Sequence, residues 1–153
     1  MGIFKRSGQS LIEMVCAILI IVPVFFCLID LYFLVMGYWY SASDCRQAAR
    51  AASQGPPSAV VAGEPENRAL RVLNTDIAEN NPTIHLDQYT VTESITSLPD
   101  PTVGGAVIGT VTVAITVSIT PPFILKYVLS DNKFINNISE TCPYTWVQQG
   151  HAQ

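Results

Sequence analysis

Charge is scarce in this chain. Of 153 residues only 13% are Asp, Glu, Lys or Arg, against 49% apolar, and 8 basic residues face 12 acidic ones for a net charge of -4. A protein that grips a polyanion needs clustered Lys and Arg, and here they are scattered, which argues against nucleic acid as a partner. Metal-ligating spacings are missing as well: four cysteines and two histidines form no C-x-x-C and no H-x-x-x-H. There is no G-x-S-x-G, and Gly104-Gly105 lacks the pattern of a phosphate-binding loop. The two imidazoles, His85 beside Asp87 and His151 near a polar tail, have few polar neighbours and read as surface residues. No catalytic residue, cofactor or metal is therefore assigned. The length accommodates one modest domain plus an anchor and falls well short of a barrel of about 250 residues.

What the chain has is a long apolar run. From Leu11 to Tyr40 it is almost continuously apolar, and Met14 to Ile29 carries no charge. A bilayer needs about 20 such residues, so a transmembrane helix is expected at about 14–36. Lys5 and Arg6 precede the run, whereas the ten residues after Met36 hold one Asp and one Arg, which places the N-terminus in the cytoplasm and the remainder outside. A cleaved secretory signal ending at Ser41-Ala42-Ser43 is the alternative, but its apolar core would be about twice the usual 7 to 15 residues and would contain two carboxylates. Those carboxylates, Glu13 and Asp30, each cost about 2.5 to 3.5 kcal/mol if placed at the centre of a bilayer. They stand 17 residues apart, roughly 100° around a helix axis, so they are not expected to share a partner. Each either sits at the headgroup level or contacts a partner of its own.

The residues around Glu13 have a recognisable order. In Ser7-Gly8-Gln9-Ser10-Leu11-Ile12-Glu13 a Gly directly precedes a short polar-apolar run, and a Glu stands at the fifth position after it. This resembles a prepilin leader, which an inner-membrane prepilin peptidase cuts after the Gly; the match puts cleavage between Gly8 and Gln9. Pro23 follows inside the apolar run, then Asp30, then Arg46-Gln47-Ala48-Ala49-Arg50-Ala51-Ala52. That order is similar to the TadE-like pseudopilins of the tight-adherence (Tad/Flp) pilus system, whose helical stretch after the second acid is close to R-E-G-A-R. Arg46 and Arg50 match the two arginines, Gln47 and Ala48 replace the Glu and Gly, and Met14 stands where an aromatic residue is frequent. The resemblance covers Gly8 to Ala52.

The resemblance implies a minor pilin-like subunit without a cofactor. Its implied partners are the prepilin peptidase, the major pilin, other minor pseudopilins and an inner-membrane assembly platform. It would reside in the bacterial inner membrane, cytoplasmic at its N-terminus, and pass into a surface filament for adhesion or secretion. Cleavage would create a positive amino terminus on Gln9, and Glu13, one helical turn later, is suited to neutralise that charge on a neighbouring subunit. Two readings from other classes stand beside it: a single-pass anchored binding protein that stays in the membrane, and an exported domain released after about Ser43.

Beyond the membrane the patterning predicts an α+β domain. The parts are a leader at 1–8, an N-terminal helix at 9–53, a linker at 54–64 and an outward domain at 65–153, in which one further helix lies against a small antiparallel sheet. Gly55-Pro56-Pro57 should end the first helix, whose small residues Ala42, Cys45, Ala49 and Ala52 suit either a close neighbour or the chain's own domain. Leu70, Leu73 and Ile77 form one stripe of a second helix from Pro65 to Asn80. Gln88 to Thr96 and Glu140 to Val147 read as strands. Thr110 to Thr120 is the strongest, because Val111, Val113, Ile115, Val117 and Ile119 alternate with Thr, Ala and Ser. Cys16 and Cys27 act as small hydrophobes in the apolar helix, while Cys45 and Cys142 lie on the oxidising side, where an even pair invites a disulfide if their Cα atoms fall within about 7 Å.

Overall fold

The computed structural model describes residues 4–80, 83–98 and 105–148, with residues 4–9, 76–80, 130 and 148 described by backbone alone. Helix α1 (Phe4–Ser53) and helix α2 (Glu64–Asn80) precede strands β1 (Ile84–Ser97) and β2 (Gly105–Ile119). A short helix α3 (Leu125–Val128) and a 3-10 turn at Ser130–Asn132 then lead into strand β3 (Phe134–Gln148). The three strands form an antiparallel meander in the order β1-β2-β3. The fold class is α+β, as the patterning predicts.

Helix α1 runs through Pro23 without a break, and its 50 residues measure about 75 Å at 1.5 Å per residue. It stops at Ser53, just before Gly55-Pro56-Pro57, and its last carbonyls are taken up by a side chain from α2. Arg68 donates from Nε to the Ala51 carbonyl (3.1 Å) and from Nη2 to the carbonyls of Ala52 (2.9 Å) and Pro56 (3.1 Å). A cation at the negative end of a helix satisfies orphan carbonyls and offsets the helix dipole at once. It also fixes the turn that brings α2 back beside α1.

The alternation along β2 does what the sequence suggests. Val107, Val111, Val113, Ile115, Val117 and Ile119 are all buried, and they meet Cys45, Ala48, Ala49 and Ala52 of α1 together with Ala69 and Leu73 of α2. Small residues on α1 are what allow its backbone to lie so near the sheet. At Gly37 an added Cβ would stand 2.8 Å from Ile119 Cδ1, so even a methyl group is too much there. The small-residue face is therefore used within the chain. The second half of α1 thus supplies core side chains to the outward unit, and the segment at 54–64 connects α1 to α2. The outer strands also run further than the patterning predicts, β1 by several residues at its start and β3 from Phe134 instead of Glu140.

A second tie crosses the sheet. Tyr144 on β3 pairs in register with Gly109 on β2, and its hydroxyl reaches over β2 to donate to Glu93 on β1. Glu93 also accepts from the Ser58 hydroxyl and from the Ser58 amide (2.9 Å), which holds the loop after α1 against the sheet. The crossing requires a glycine: a Cβ on Gly109 would lie 2.8 Å from the Tyr144 hydroxyl and 2.7 Å from the Ser94 carbonyl. Burial opposes ionisation of Glu93, but the hydrogen bonds from Ser58 and Tyr144, aided by the Arg68 charge, outweigh it and hold the carboxyl below its ordinary 4.5. Burial first, and then the Glu93 carboxylate, push the Tyr144 hydroxyl up.

Gly109→Ala is therefore expected to break the strap and destabilise the fold by about 1 to 3 kcal/mol, the usual cost of overpacking. A carboxyl whose folded value is depressed adds stability that is complete above pH 4.5 and is lost as pH falls through the lowered value. Urea midpoints of the full chain in detergent, taken across that acid range, should fall with pH in the parent and vary less in the variant.

Candidate functional site

The bare half of α1 is the most unusual surface of the molecule. Residues 10–25 are exposed on every side, including Leu11, Ile12, Met14, Leu19, Ile20, Ile21 and Phe25. Water does not tolerate a contiguous apolar surface of this extent, which marks a membrane or protein contact. The segment is one helix long and apolar enough to cross a membrane, and its most apolar window is uncovered by the described residues.

From Asp30 onward the same helix becomes one-sided. Asp30, Gly37, Ser41, Cys45, Ala48, Ala49 and Ala52 are buried, with Leu34 packed beside them, at the spacing of three and four that makes a single stripe. The sheet lies along that stripe. On the other sides Tyr32, Tyr38, Trp39 and Tyr40 remain exposed, residue types that favour the boundary between lipid and water. Within the expected span of 14–36, residues 26–36 carry the domain on one face. The distance from Ser10 to Asp30 along the helix is about 30 Å, the thickness of a hydrocarbon core.

Asp30 makes the junction. It is fully buried, and its two carboxylate oxygens accept backbone N–H groups from the segment after β2: Phe123 N–H on Oδ1 and Leu125 N–H on Oδ2, both at 2.8 Å. One turn nearer the N-terminus, the Phe26 ring lies 4.8 Å from that of Phe123. Of the two readings open for Asp30, contact with a partner is the one observed, and the partner is in the same chain. Nothing local announces it, since the contact joins residues 93 and 95 positions apart. The remaining signal is Pro121-Pro122 followed by Phe123-Ile124-Leu125, an apolar segment that leaves the sheet with amides still to be satisfied.

The other expected site residues are dispersed along α1. Gly8 and Gln9 belong to its helical backbone. Glu13 is exposed in the bare half and has no hydrogen bond or ion pair among the described residues; it lies about 25 Å from Asp30 along the axis, so the two do not share a partner. Arg46 donates from Nε to Glu140 Oε1 on β3 at 2.7 Å, a surface pair that adds little stability, and Arg50 is exposed. His85 is exposed, and neighbouring Asp87 accepts from the Ser118 hydroxyl (3.2 Å). Gly104 and His151 lie outside the described residues. Among the described residues no cluster of three or more His, Cys, Asp or Glu could hold a metal ion.

The cysteines correct one expectation. Cys45 and Cys142 are both free thiols, as are Cys16 and Cys27 on the bare helix. Cys45 Sγ donates to the Val113 carbonyl at 3.3 Å, and Val113 pairs in register with Glu140, whereas Cys142 pairs with Val111. Cys142 is therefore two residues further along β3, about 6.6 Å along the ladder. Burial, and then the Glu140 carboxylate, push the Cys45 thiol up to about 11, which removes the thiolate that exchange requires.

Asp30→Ala should leave two part-buried amides without their acceptor, at up to about 1 to 3 kcal/mol for each. Amide hydrogen exchange is expected to accelerate at Phe123 and Leu125 by one or more orders of magnitude while β2 remains protected. Unchanged exchange at those amides would mean that the carboxylate does not hold the segment.

Comparison of the chain with models of protein families, with curated proteins and with solved structures returned no match in any of the three.

Proposed function

We propose that the chain is a minor pilin-like structural subunit of the TadE-like kind, cut between Gly8 and Gln9 and then assembled through its N-terminal helix into a Tad-type pilus or its base. The observation that carries this reading is the continuity of α1, bare along its first half and part of the domain core along its second. A protein that only tethers a binding domain needs no rigid connection between anchor and domain. A filament subunit does, because packing of the bare halves in a bundle must set the positions of the heads.

Glu13 adds to the argument. It is a carboxylate in an otherwise apolar, uncovered stretch, without a partner among the described residues, five positions after the expected cut. Charge in such a place is normally paired or functional, and the new amino terminus of an adjacent subunit supplies a cation of the right kind. Lys5 and Arg6 would leave with the leader, removing the charges that hold the N-terminus on the cytoplasmic side. Release by a cut near Ser43 is disfavoured physically, since it would strip Asp30, Leu34, Gly37 and Ser41 from the face that covers Ile119 and the segment after β2.

Two substitutions test the reading. Gly8→Ala should block or slow processing, because a peptidase that holds the chain extended has little room for a side chain at the cut; immunoblots are expected to show a precursor about eight residues heavier. Product of parental size from this variant would count against a prepilin cut. Glu13→Ala should be processed normally and remain in the membrane without entering sheared filaments. Its appearance in filaments at the parental level would show that no pairing through Glu13 is needed.

A further inference from the structure

We infer that the segment between β2 and β3, residues 121–135, is a second membrane contact that dips into the lipid headgroup region beside α1. The inference rests on α1 crossing a bilayer and not on filament assembly. Its geometric basis is the Asp30 clamp: with Phe123 and Leu125 held on the Asp30 carboxylate and the Phe123 ring against Phe26, the start of the segment is held at the height of residues 26–30 of α1. A span that begins at Ser10 uses up the hydrocarbon thickness at about that height.

The composition of the segment suits that depth. Tyr127 is 83% exposed and Val128 73%, with Phe123, Phe134 and Ile135 also open to the surroundings. Phe123 stands against Phe26 and Leu125 beside Pro23 to Leu28, so the start of the segment shares the surroundings of that part of α1. A shallow apolar cleft between α1 and α3, lined by Pro23, Val24, Cys27, Leu28, Leu31 and Leu125, opens at the same level.

Charge points the same way. The chain has three lysines; one is in the expected leader, and the other two, Lys126 and Lys133, flank this segment. Within residues 121–135 they face a single acid, Asp131, whereas the rest of the chain after Asp30 sets four Arg against nine Asp and Glu. Residues 121–135 thus carry a positive balance in an acidic chain, and at membrane height long basic side chains place their stems in the apolar layer and their charges among anionic headgroups. Asp131 and Asn132, at φ 61° and 58°, form the tight turn that returns the chain to β3.

The test uses the full chain reconstituted in vesicles of phosphatidylcholine and phosphatidylglycerol with brominated acyl chains, which quench tryptophan on contact. In a background of Trp39→Phe and Trp146→Phe, Tyr127→Trp reports on the segment and Ile20→Trp on the span. Both reporters should be quenched, the Tyr127→Trp protein at least half as strongly as the Ile20→Trp protein. Adding Lys126→Glu and Lys133→Glu should weaken quenching of the segment and leave that of the span unchanged. Quenching of Ile20→Trp without Tyr127→Trp would overturn the inference and leave the membrane span intact; a Tyr127→Trp emission shifted to the blue without quenching would do so too, by showing that protein covers the segment. Absence of quenching at both positions would remove the span on which the inference rests.

Discussion

Where the Asp30 carboxylate takes the amides of Phe123 and Leu125, one continuous helix changes its solvent. Over residues 10–25 α1 is exposed on every side; from Asp30 onward a stripe of residues three and four apart is buried against the sheet. A carboxylate is well suited to the junction. It is too polar to lie free in hydrocarbon, and the segment after β2 has amides that the sheet cannot satisfy, so each group removes the other's desolvation problem. The height of the domain above any bilayer is consequently fixed by two hydrogen bonds and one aromatic contact, and not by a linker.

The rest of the architecture keeps that junction stiff. Small residues bring α1 onto β2, Gly37 admits the Ile119 side chain, and Arg68 seals the end of α1 while holding α2 beside it. At the far side the Tyr144, Glu93 and Ser58 strap secures the loop that follows α1. Rigidity of this kind has a functional meaning under the proposed reading, because a helix that packs among others can orient a head only if the head cannot swing. Glu13 is then the natural place for recognition between subunits, as the one carboxylate in the bare stretch.

Much of this was legible in the residues, and the remainder was hidden for definable reasons. The alternation from Val111 to Ile119 specifies a strand with one buried face, and that strand became the centre of the sheet. Gly55-Pro56-Pro57 ends α1 because no helix propagates through it. Composition changes at residue 54 whereas packing does not: the alanines of α1 read as a neutral helix until the sheet lies on them. The start of β3 carries Asn136 and Asn137, which weaken a strand signal that pairing with β2 overrides. The Asp30 clamp and the Arg68 cap depend on contacts between distant positions, and the disulfide depends on a register offset of two residues, none of which periodicity reports.

The claim on which the account turns is that α1 begins life with a leader and finishes without one. Intact mass and N-terminal sequencing of the protein, extracted from the membranes of the cells that make it, test this most directly. A mature chain that begins at Gln9, with its second half of α1 still in place, is the predicted result. A chain that retains Lys5 and Arg6 in the mature form, or one that begins near Asp44, would contradict it.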